Sequence, residues 1–332
     1  MIKMNKRFGA FLLCLLMLMV AMVGCAEVEK GEITWKPTGG DPNVESQPTP
    51  APEKIVEFGS YPNKEAENTV ASLLKNKVRI DPDTGVWTEY EEEKTDKDGI
   101  VTVVSARYDM QTGYYIYQET VDGVVKTEGR YAEEDGKYFV VEAISWIVLE
   151  TKADSYVLIS RDILDAGHRF LDVYTSSTWK DSSMRDWLNG TDTYAKGGED
   201  YTKSWNFVNR AFTQNELDQI KSSNLNTKDN EQYDVVGGGE TTDLVYLLSE
   251  EEVATYFKDF SAQSGGTPYA LYKGLKANKD KGIWWLRSPG INTFFQGVDR
   301  NGDVSEGGFN STSTDIGIRP VICVSKNAIK FN

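Results

Sequence analysis

The sequence predicts an α+β fold, in which a twisted antiparallel sheet is accompanied by a few short helices and long loops. Runs of β-branched and aromatic residues recur from residue 55 to the C-terminus, and turn residues such as Asp-Gly separate them. Two helix starts carry a capping box, in which a Thr or Ser precedes a Glu by three residues: Thr213 with Glu216, and Ser249 with Glu252. Strands and helices therefore share one folded region.

The composition favours a globular protein that binds neither nucleic acid nor metal. The chain has 332 residues, of which 39% are hydrophobic, and this is enough to bury a sizeable core. Its formal net charge of -15 would repel nucleic-acid phosphates, so we predict no nucleic-acid partner. His168 is the only histidine, which excludes metal sites built on two or more imidazoles. We predict no metal ion and no cofactor.

The N-terminus has the pattern of an export signal. Basic residues precede an apolar run at 8–22, and Met22-Val23-Gly24-Cys25 resembles the lipobox of bacterial lipoproteins. We predict a signal peptide over 1–24 and a diacylglyceryl group on Cys25, which would hold the protein on the extracellular face of the cell membrane. Residues 25–54 are rich in Pro, Gly, Glu and Thr, a composition typical of a flexible tether.

The remaining residues, 55–332, are predicted to form a single head. It begins with a strand at 55–62 and a helix that carries Val70, Leu73 and Leu74 at helical spacing. Aromatic, alternating segments separated by turns predict a β-meander insertion at about 84–142. Two further strands, at 144–149 and 156–159, are expected to form a central antiparallel pair.

The second half of the head alternates helices with loops. In residues 178–190, Met184, Trp187 and Leu188 fall on one helical face, and Gly190 stands where a helix C-cap is expected. The polar, Gly-rich stretch at 222–242 is typical of a long surface loop.

The C-terminal region is predicted to contain two strands, at 284–290 and 317–324, that complete one sheet. Between them, residues 298–304 are expected to form a hairpin tip in which Asn301-Gly302 makes a type I′ turn. Asp299, Asn301 and Asp303 superficially follow a calcium loop. However, Gly302 stands at the fourth position of that motif and not the sixth, which favours the hairpin.

Several motifs in this order resemble a family of bacterial envelope proteins, found in clostridia-like Gram-positive bacteria, that carry the domain DUF6273. They include FGSYP at 58–62, ISWIVLE at 144–150, TWKDSSMRDWLN at 178–189, WWLRSPG at 284–290 and GIRPVICV at 317–324. The resemblance covers roughly residue 55 to the C-terminus. More distantly, the layout resembles C-type-lectin-like and formylglycine-generating-enzyme-like domains, which implies a lectin-like α+β fold.

The sequence lacks the residues on which the chemistry of those two superfamilies depends. Formylglycine chemistry relies on cysteine thiols, and within the head the sequence offers only Cys323, between two apolar residues. The calcium-binding triplets of C-type lectins are also missing from the sequence. No Gly-x-Ser-x-Gly elbow accompanies His168, so a surface-loop histidine is predicted and not a catalytic triad. We predict no catalytic residue.

A candidate binding site can be read from the tryptophans and arginines. Trp285 and Arg287 lie on one face of a strand, where they could stack on a sugar ring, and Trp179 and Arg185 are the further candidates. The alternative is that these arginines form buried ion pairs and that the tryptophans are core. Trp284, Trp187 and Arg319 are the residues predicted to be structural.

The sequence therefore favours a surface lipoprotein whose head is a non-catalytic recognition module for an envelope carbohydrate or protein. Two alternatives stay open. One is an envelope hydrolase that uses a pair of carboxylates, which predicts two acidic side chains facing each other across a pocket. The other is a structural scaffold with no small ligand, which predicts an exposed apolar patch in place of a concave site.

Overall fold

The computed structural model describes residues 54–172, 178–192, 205–278 and 280–331. The predicted signal peptide, Cys25 and the tether up to residue 53 lie outside the described residues. Within the described ranges, no helix is both long enough and apolar enough to cross a bilayer.

The fold is mostly antiparallel β-sheet that curls into a half-barrel, with a few short helices. The strands are β1 Ile55–Glu65, β2 Tyr90–Thr95, β3 Val101–Asp109, β4 Tyr114–Val121, β5 Val124–Glu134, β6 Lys137–Thr151, β7 Ser155–Ser160, β8 Ile220–Lys221, β9 Ser223–Thr227, β10 Gly239–Asp243, β11 Val245–Tyr246, β12 Ala277–Asn278, β13 Lys281–Gly282, β14 Trp284–Pro289, β15 Phe294–Val298, β16 Val304–Asn310 and β17 Val321–Ser325.

The helices flank the sheet and are all short. They are α1 Asn68–Lys77, α2 Ser183–Asn189, α3 Phe207–Ala211, α4 Gln214–Leu217, α5 Glu250–Tyr256 and α6 Pro268–Tyr272, together with 3₁₀ turns at Trp179–Asp181 and Lys326–Ala328. The large sheet has the order β11-β17-β7-β6-β5-β4-β3-β2, while β1 pairs with β6 and β8 pairs with β17. The strand β14 belongs to a separate sheet, β14-β15-β16.

The predicted meander is present as β2 to β6. Its turns at Asp122-Gly123 and Asp135-Gly136 have positive φ at both residues, as a type I′ turn requires. Because strand side chains alternate, every second residue of these strands points to one face, where α1 packs on a layer of buried tyrosines. The layer consists of Tyr115, Tyr117, Tyr131 and Tyr138.

The predicted central pair is confirmed as β6 and β7, with Ile147 opposite Ile159. Trp146 of β6 is fully buried, and its indole N–H donates to the carbonyl of Phe58 in β1 at 2.7 Å. The main core lies on both sides of these strands, because buried central strands are apolar on both faces.

The helix termini also follow the sequence. Both predicted capping boxes form, at Thr213 with Glu216 and at Ser249 with Glu252. Gly190 ends α2 in the left-handed conformation, with φ of 65°.

Three predictions about the C-terminal half are wrong. Residues 222–242 are not one long loop, because β9 at 223–227 pairs with β10 at 239–243. The strand at 284–289 and the closing strand do not share a sheet, since β14 pairs with β15 and β17 pairs with β7. The closing strand also starts late, at Val321, and Gly317 and Ile318 form only isolated bridges.

The predicted hairpin tip at 298–304 exists, but it is not a type I′ turn. Val298 pairs with Val304, and of the two central residues only Gly302 has a positive φ, of 92°. The Asp299 carboxylate accepts the backbone N–H groups of Asn301 and Asp303, at 2.8 and 3.0 Å. These hydrogen bonds to the Asp299 side chain stabilise a loop that is wider than a two-residue turn.

Gly59 is a position where the fold depends on the missing side chain. It lies at a register shift in β1 with φ of 66°, and a Cβ there would lie 2.6 Å from the Phe212 ring. We expect Gly59→Ala to cost about 2 kcal/mol more stability than Gly85→Ala, measured by urea unfolding. Gly85 is the matched control, because its φ is 70° and nothing lies within 4 Å. Equal losses in both variants would show that strain alone, without the Phe212 clash, sets the cost.

Candidate functional site

The structure buries the two residues that the sequence places in a binding groove. Trp285 is fully buried, with its ring 5.4 Å from the Phe170 ring between centroids. Arg287 is 2% exposed, and it donates to Glu252 at 2.5 Å and to the Leu247 carbonyl at 2.8 Å. A ring with no exposed face offers nothing for a sugar to stack on. In the structure, Trp285 and Arg287 therefore do not line an open groove.

The side chains of Trp179 and Arg185 lie close together because both donate hydrogen bonds to the same carboxylate of the protein, that of Asp243. The Asp243 carboxylate of β10, of which 1% is exposed, accepts the Trp179 indole N–H at 3.0 Å and the Arg185 Nε–H at 2.6 Å. The hydroxyl of Thr241 also donates to it, at 2.9 Å. These contacts pin the 3₁₀ turn and α2 to β10, so both side chains have a structural role.

The predicted structural residues are core residues. Trp284, Trp187 and Arg319 are 0%, 3% and 1% exposed. The Arg319 guanidinium donates to the carbonyl of Ser160 at 2.8 Å and lies over the Trp284 ring. Arg185 and Arg287 form ion pairs with Asp243 and Glu252, and Arg319 donates to backbone carbonyls, which is the arrangement that the alternative interpretation describes.

His168 belongs to a partly buried polar cluster and is not a free surface histidine. Its ring stacks on Trp187 at 4.0 Å, and its Nε2 lies 3.7 Å from the Asp165 carboxylate. That carboxylate also accepts the Tyr61 hydroxyl and the Ala166 backbone N–H. Burial raises the pKa of the Tyr61 hydroxyl well above its usual value, and the Asp165 charge adds to this. Such a phenol stays protonated and acts as a hydrogen-bond donor.

The shifted carboxyl groups of the described ranges all change in the same direction. Each carboxyl whose pKa departs from its usual value moves downward, as at Asp81, Glu92, Asp154, Asp165 and Glu251. The acid of a glycosidase needs a raised pKa. Within the described ranges, no group of three or more His, Cys, Asp or Glu side chains is arranged to hold a metal ion.

A cleft of about 380 Å³ lies where the β3–β4 turn meets α3 and α4, and we call it the amide cleft. Its volume is within the usual range for small-ligand sites, about 300–1,000 Å³. The lining residues are mostly amide or hydroxyl side chains, with two apolar residues among them: Gln111, Thr112, Asn209, Phe212, Thr213, Gln214 and Leu217. None of these side chains is charged, although the chain carries a formal net charge of -15.

One wall of the amide cleft is the turn between β3 and β4. The Asp109 carboxylate accepts the Gln111 backbone N–H at 3.0 Å and the Thr112 hydroxyl at 2.7 Å, which closes the turn. Gly113 completes it with φ of 72°. The Gln111 side chain is left exposed, and it makes no hydrogen bond to any described residue.

Helices α3 and α4 form the other wall. Asn206 caps α3 by accepting the Asn209 backbone N–H. The Asn209 side-chain amide is exposed and makes no hydrogen bond to the described part of the chain. The floor is the Phe212 ring, which is 5% exposed and packs 5.7 Å from the Phe58 ring, with Leu217 beside it. Because the floor is anchored in the core, its shape is fixed before any ligand arrives.

An exposed tryptophan stands next to this cleft. Trp205 is 44% exposed, and its indole packs against Gly113. A Cβ added at Gly113 would lie 2.9 Å from the Trp205 ring. Gly113 follows Thr112, which lines the cleft. Exposed indoles and neutral hydrogen-bonding side chains suit a ligand that has apolar ring faces and hydroxyl groups.

A second cleft, of about 360 Å³, lies on the face of the meander and has a different character. Its walls carry charged side chains, including Glu89, Glu91, Arg107 and Glu128. Glu91 and Glu128 are three strands apart, which at about 4.8 Å per strand separates them by roughly 14 Å along a flat sheet. That exceeds the spacing of about 5–10 Å between the carboxylates of a glycosidase.

Sequence reasoning missed the amide cleft. Its signal is the amide-rich stretch at 206–215, which directly follows Trp205. The partner wall at 110–113 lies far earlier in the chain, and only the folded meander brings it into place.

Comparison with known proteins identifies one family. A family model described as a domain of unknown function (DUF6273) matches residues 153–326, just over half of the chain. The match begins later than residue 55, where the resemblance was expected to start. No curated protein and no solved structure matches the chain. The matched segment includes Trp205, α3 and α4 of the amide cleft, while the turn at 110–113 precedes it. By this match, the chain is a member of the DUF6273 family.

Proposed function

We propose that this protein is a lipid-anchored lipoprotein of the extracellular membrane surface, whose head binds a carbohydrate without converting it. The proposed anchor is the diacylglyceryl group on Cys25, and the proposed site is the amide cleft. The observation that carries the proposal is a neutral, amide-lined cleft beside an exposed Trp205 in a strongly acidic chain. The mostly antiparallel sheet with short flanking helices also fits the lectin-like fold that the sequence resembles.

Carbohydrate is favoured over a protein partner by the size and lining of the cleft. A stable protein interface buries about 800 Å² on each partner. The amide cleft, at about 380 Å³, is of a size to take one or two sugar rings. Its free amides, on Gln111 and Asn209, can both donate and accept hydrogen bonds, as vicinal hydroxyl groups demand.

The test is a glycan-binding experiment with the full chain in detergent micelles. A glycan array selects a ligand, and titration calorimetry then compares the wild-type chain with Trp205→Ala and Asn209→Ala. We expect Trp205→Ala to weaken binding about tenfold, since aromatic contacts contribute about 0.5–1.5 kcal/mol beyond area burial. Asn209→Ala is expected to weaken it about fivefold through one lost hydrogen bond.

The matched control is Asn215→Ala, at an exposed amide of α4 that does not line the cleft. It should leave the dissociation constant unchanged. If Trp205→Ala and Asn209→Ala both bind as well as the wild-type chain, the ligand lies elsewhere. If no glycan binds the wild-type chain, the carbohydrate proposal is wrong, and the scaffold alternative gains support.

A further inference from the structure

Resting on the proposed function, we propose that the amide cleft prefers sugars that carry an N-acetyl group over sugars that carry a hydroxyl group at the same position. The inference comes from three properties of the cleft: the placement of its two free amides, its apolar floor and its lack of charge. Each property fits one part of an acetamido group. Together they distinguish that group from a hydroxyl, an ammonium and a carboxylate.

The two free amides face the cleft from different elements. Gln111 belongs to the β3–β4 turn, and Asn209 belongs to α3. A trans amide points its N–H and its C=O in opposite directions. An acetamido group held between these walls can therefore donate to one side chain and accept from the other. A single hydroxyl group cannot span two opposite walls in this way.

The floor suits the acetyl methyl group. Phe212 is held in the core by aromatic contacts with Phe58 and Phe207, and Leu217 packs beside it. A methyl group that leaves water for this floor gains about fourfold in affinity. With one extra hydrogen bond, which contributes about fivefold, the expected preference over the matching hydroxyl sugar is about twentyfold.

The charge environment disfavours ionised sugars. Three carboxylates, of Asp109, Asp218 and Glu216, accept hydrogen bonds from lining residues but are not themselves part of the lining, and both oxygens of Glu216 already accept hydrogen bonds. One oxygen accepts the backbone N–H and the hydroxyl of Thr213, and the other accepts the backbone N–H of Gly59. An ammonium or carboxylate on the sugar would therefore enter a small cleft without a counter-ion in its lining.

The experiment measures the full chain in detergent micelles by titration calorimetry against three matched β-1,4 trimers, of N-acetylglucosamine, glucose and glucosamine. We expect the acetylated trimer to bind about twentyfold more tightly than the glucose trimer, and the glucosamine trimer to bind most weakly. Leu217→Ala is expected to reduce the ratio of the first two affinities about fourfold. Asn209→Ala, at an exposed position, reduces the same ratio without touching the core.

The control variant is again Asn215→Ala, which should keep the ratio of the wild-type chain. Equal affinities for the acetylated and glucose trimers overturn this inference while leaving carbohydrate binding intact. Tighter binding of the glucosamine trimer also overturns it, because that result would show that the site prefers an ammonium group to an acetamido group. Absence of binding to all three trimers overturns the inference, and an array without any glycan signal is what separately contradicts the proposed function.

Discussion

Asp243→Ala is expected to lower the free energy of unfolding by about 3–5 kcal/mol, because it breaks a buried ion pair and leaves the cation behind. The Asp243 carboxylate is 1% exposed and receives hydrogen bonds from Trp179, Arg185 and Thr241. Removing it leaves the Arg185 guanidinium, which is 15% exposed, without its ion-pair partner. The Trp179 indole N–H also loses its acceptor in a site that excludes water.

The measurement is urea unfolding followed by tryptophan fluorescence, with Asp259→Ala as the matched control. The Asp259 carboxylate is 69% exposed and lies 3.9 Å from Lys258, so its removal should change stability by less than about 0.5 kcal/mol. Similar small losses in both variants would mean that Asp243 does not hold the 3₁₀ turn and α2 against β10.

Asp165→Ala is expected to cost about 3 kcal/mol at neutral pH, and the loss should depend on pH. The carboxylate accepts the Tyr61 hydroxyl at 2.5 Å and the Ala166 N–H at 2.7 Å. Burial alone would raise its pKa, but the neighbouring His168, the Lys273 charge and the Tyr61 hydrogen bond together outweigh burial and hold the pKa below its usual value. The folded state therefore binds this proton less readily than the unfolded state does.

The sign of the pH effect follows from that lowered pKa. The stabilising contribution of Asp165 is fully present above the unfolded-state pKa of about 3.9, and it is lost as the pH falls through the lower folded-state value. We therefore expect the stability difference between the wild-type chain and Asp165→Ala to shrink below about pH 4. Urea unfolding at pH 7, 5 and 3 measures it.

The control for this experiment is Asp165→Asn, which keeps the shape and an oxygen acceptor for Tyr61 but carries no charge. It should lose less stability than Asp165→Ala at neutral pH and should lack the acid-dependent part of the wild-type curve. A difference between the wild-type chain and Asp165→Asn that stays constant from pH 7 to pH 3 would contradict the lowered pKa.

Local features of the fold could be predicted because they depend on neighbouring residues. The capping boxes at Thr213 and Ser249, the C-cap at Gly190 and the two Asp-Gly turns after β4 and β5 all use side chains within a few positions. The β6–β7 pair could be predicted because a short turn joins two strongly apolar strands.

Strand partners that are distant in sequence could not be predicted in this way. The sequence at 284–289 is compatible with a strand in either sheet. Its neighbouring residues do not indicate that it pairs with β15 and not with β17. The pairing of β9 with β10 was hidden because their residues are mostly polar, with only Leu225, Thr227, Thr241 and Asp243 buried. A polar ribbon and a polar loop have the same composition.

The burial of the candidate binding residues could not be predicted for a related reason. Tryptophan and arginine suit both a ligand groove and a buried ion-pair network, and only burial distinguishes the two. For Trp285 and Arg287, the partners that decide the matter are Phe170 and Glu252, which are distant in the chain. The amide cleft combines two such distant segments, each with an ordinary polar composition on its own.

The amide cleft is divided between two parts of the chain that face different constraints. Asn209 and Leu217 stand on helices tied to the main core, whereas Gln111 stands on an exposed four-residue connection whose backbone is held by Asp109 and Gly113. Exposed connections tolerate substitution far better than packed helices do. Under the proposed function, substitutions in this single hairpin tip would change which molecule binds, while the helices that carry the opposite wall stay the same.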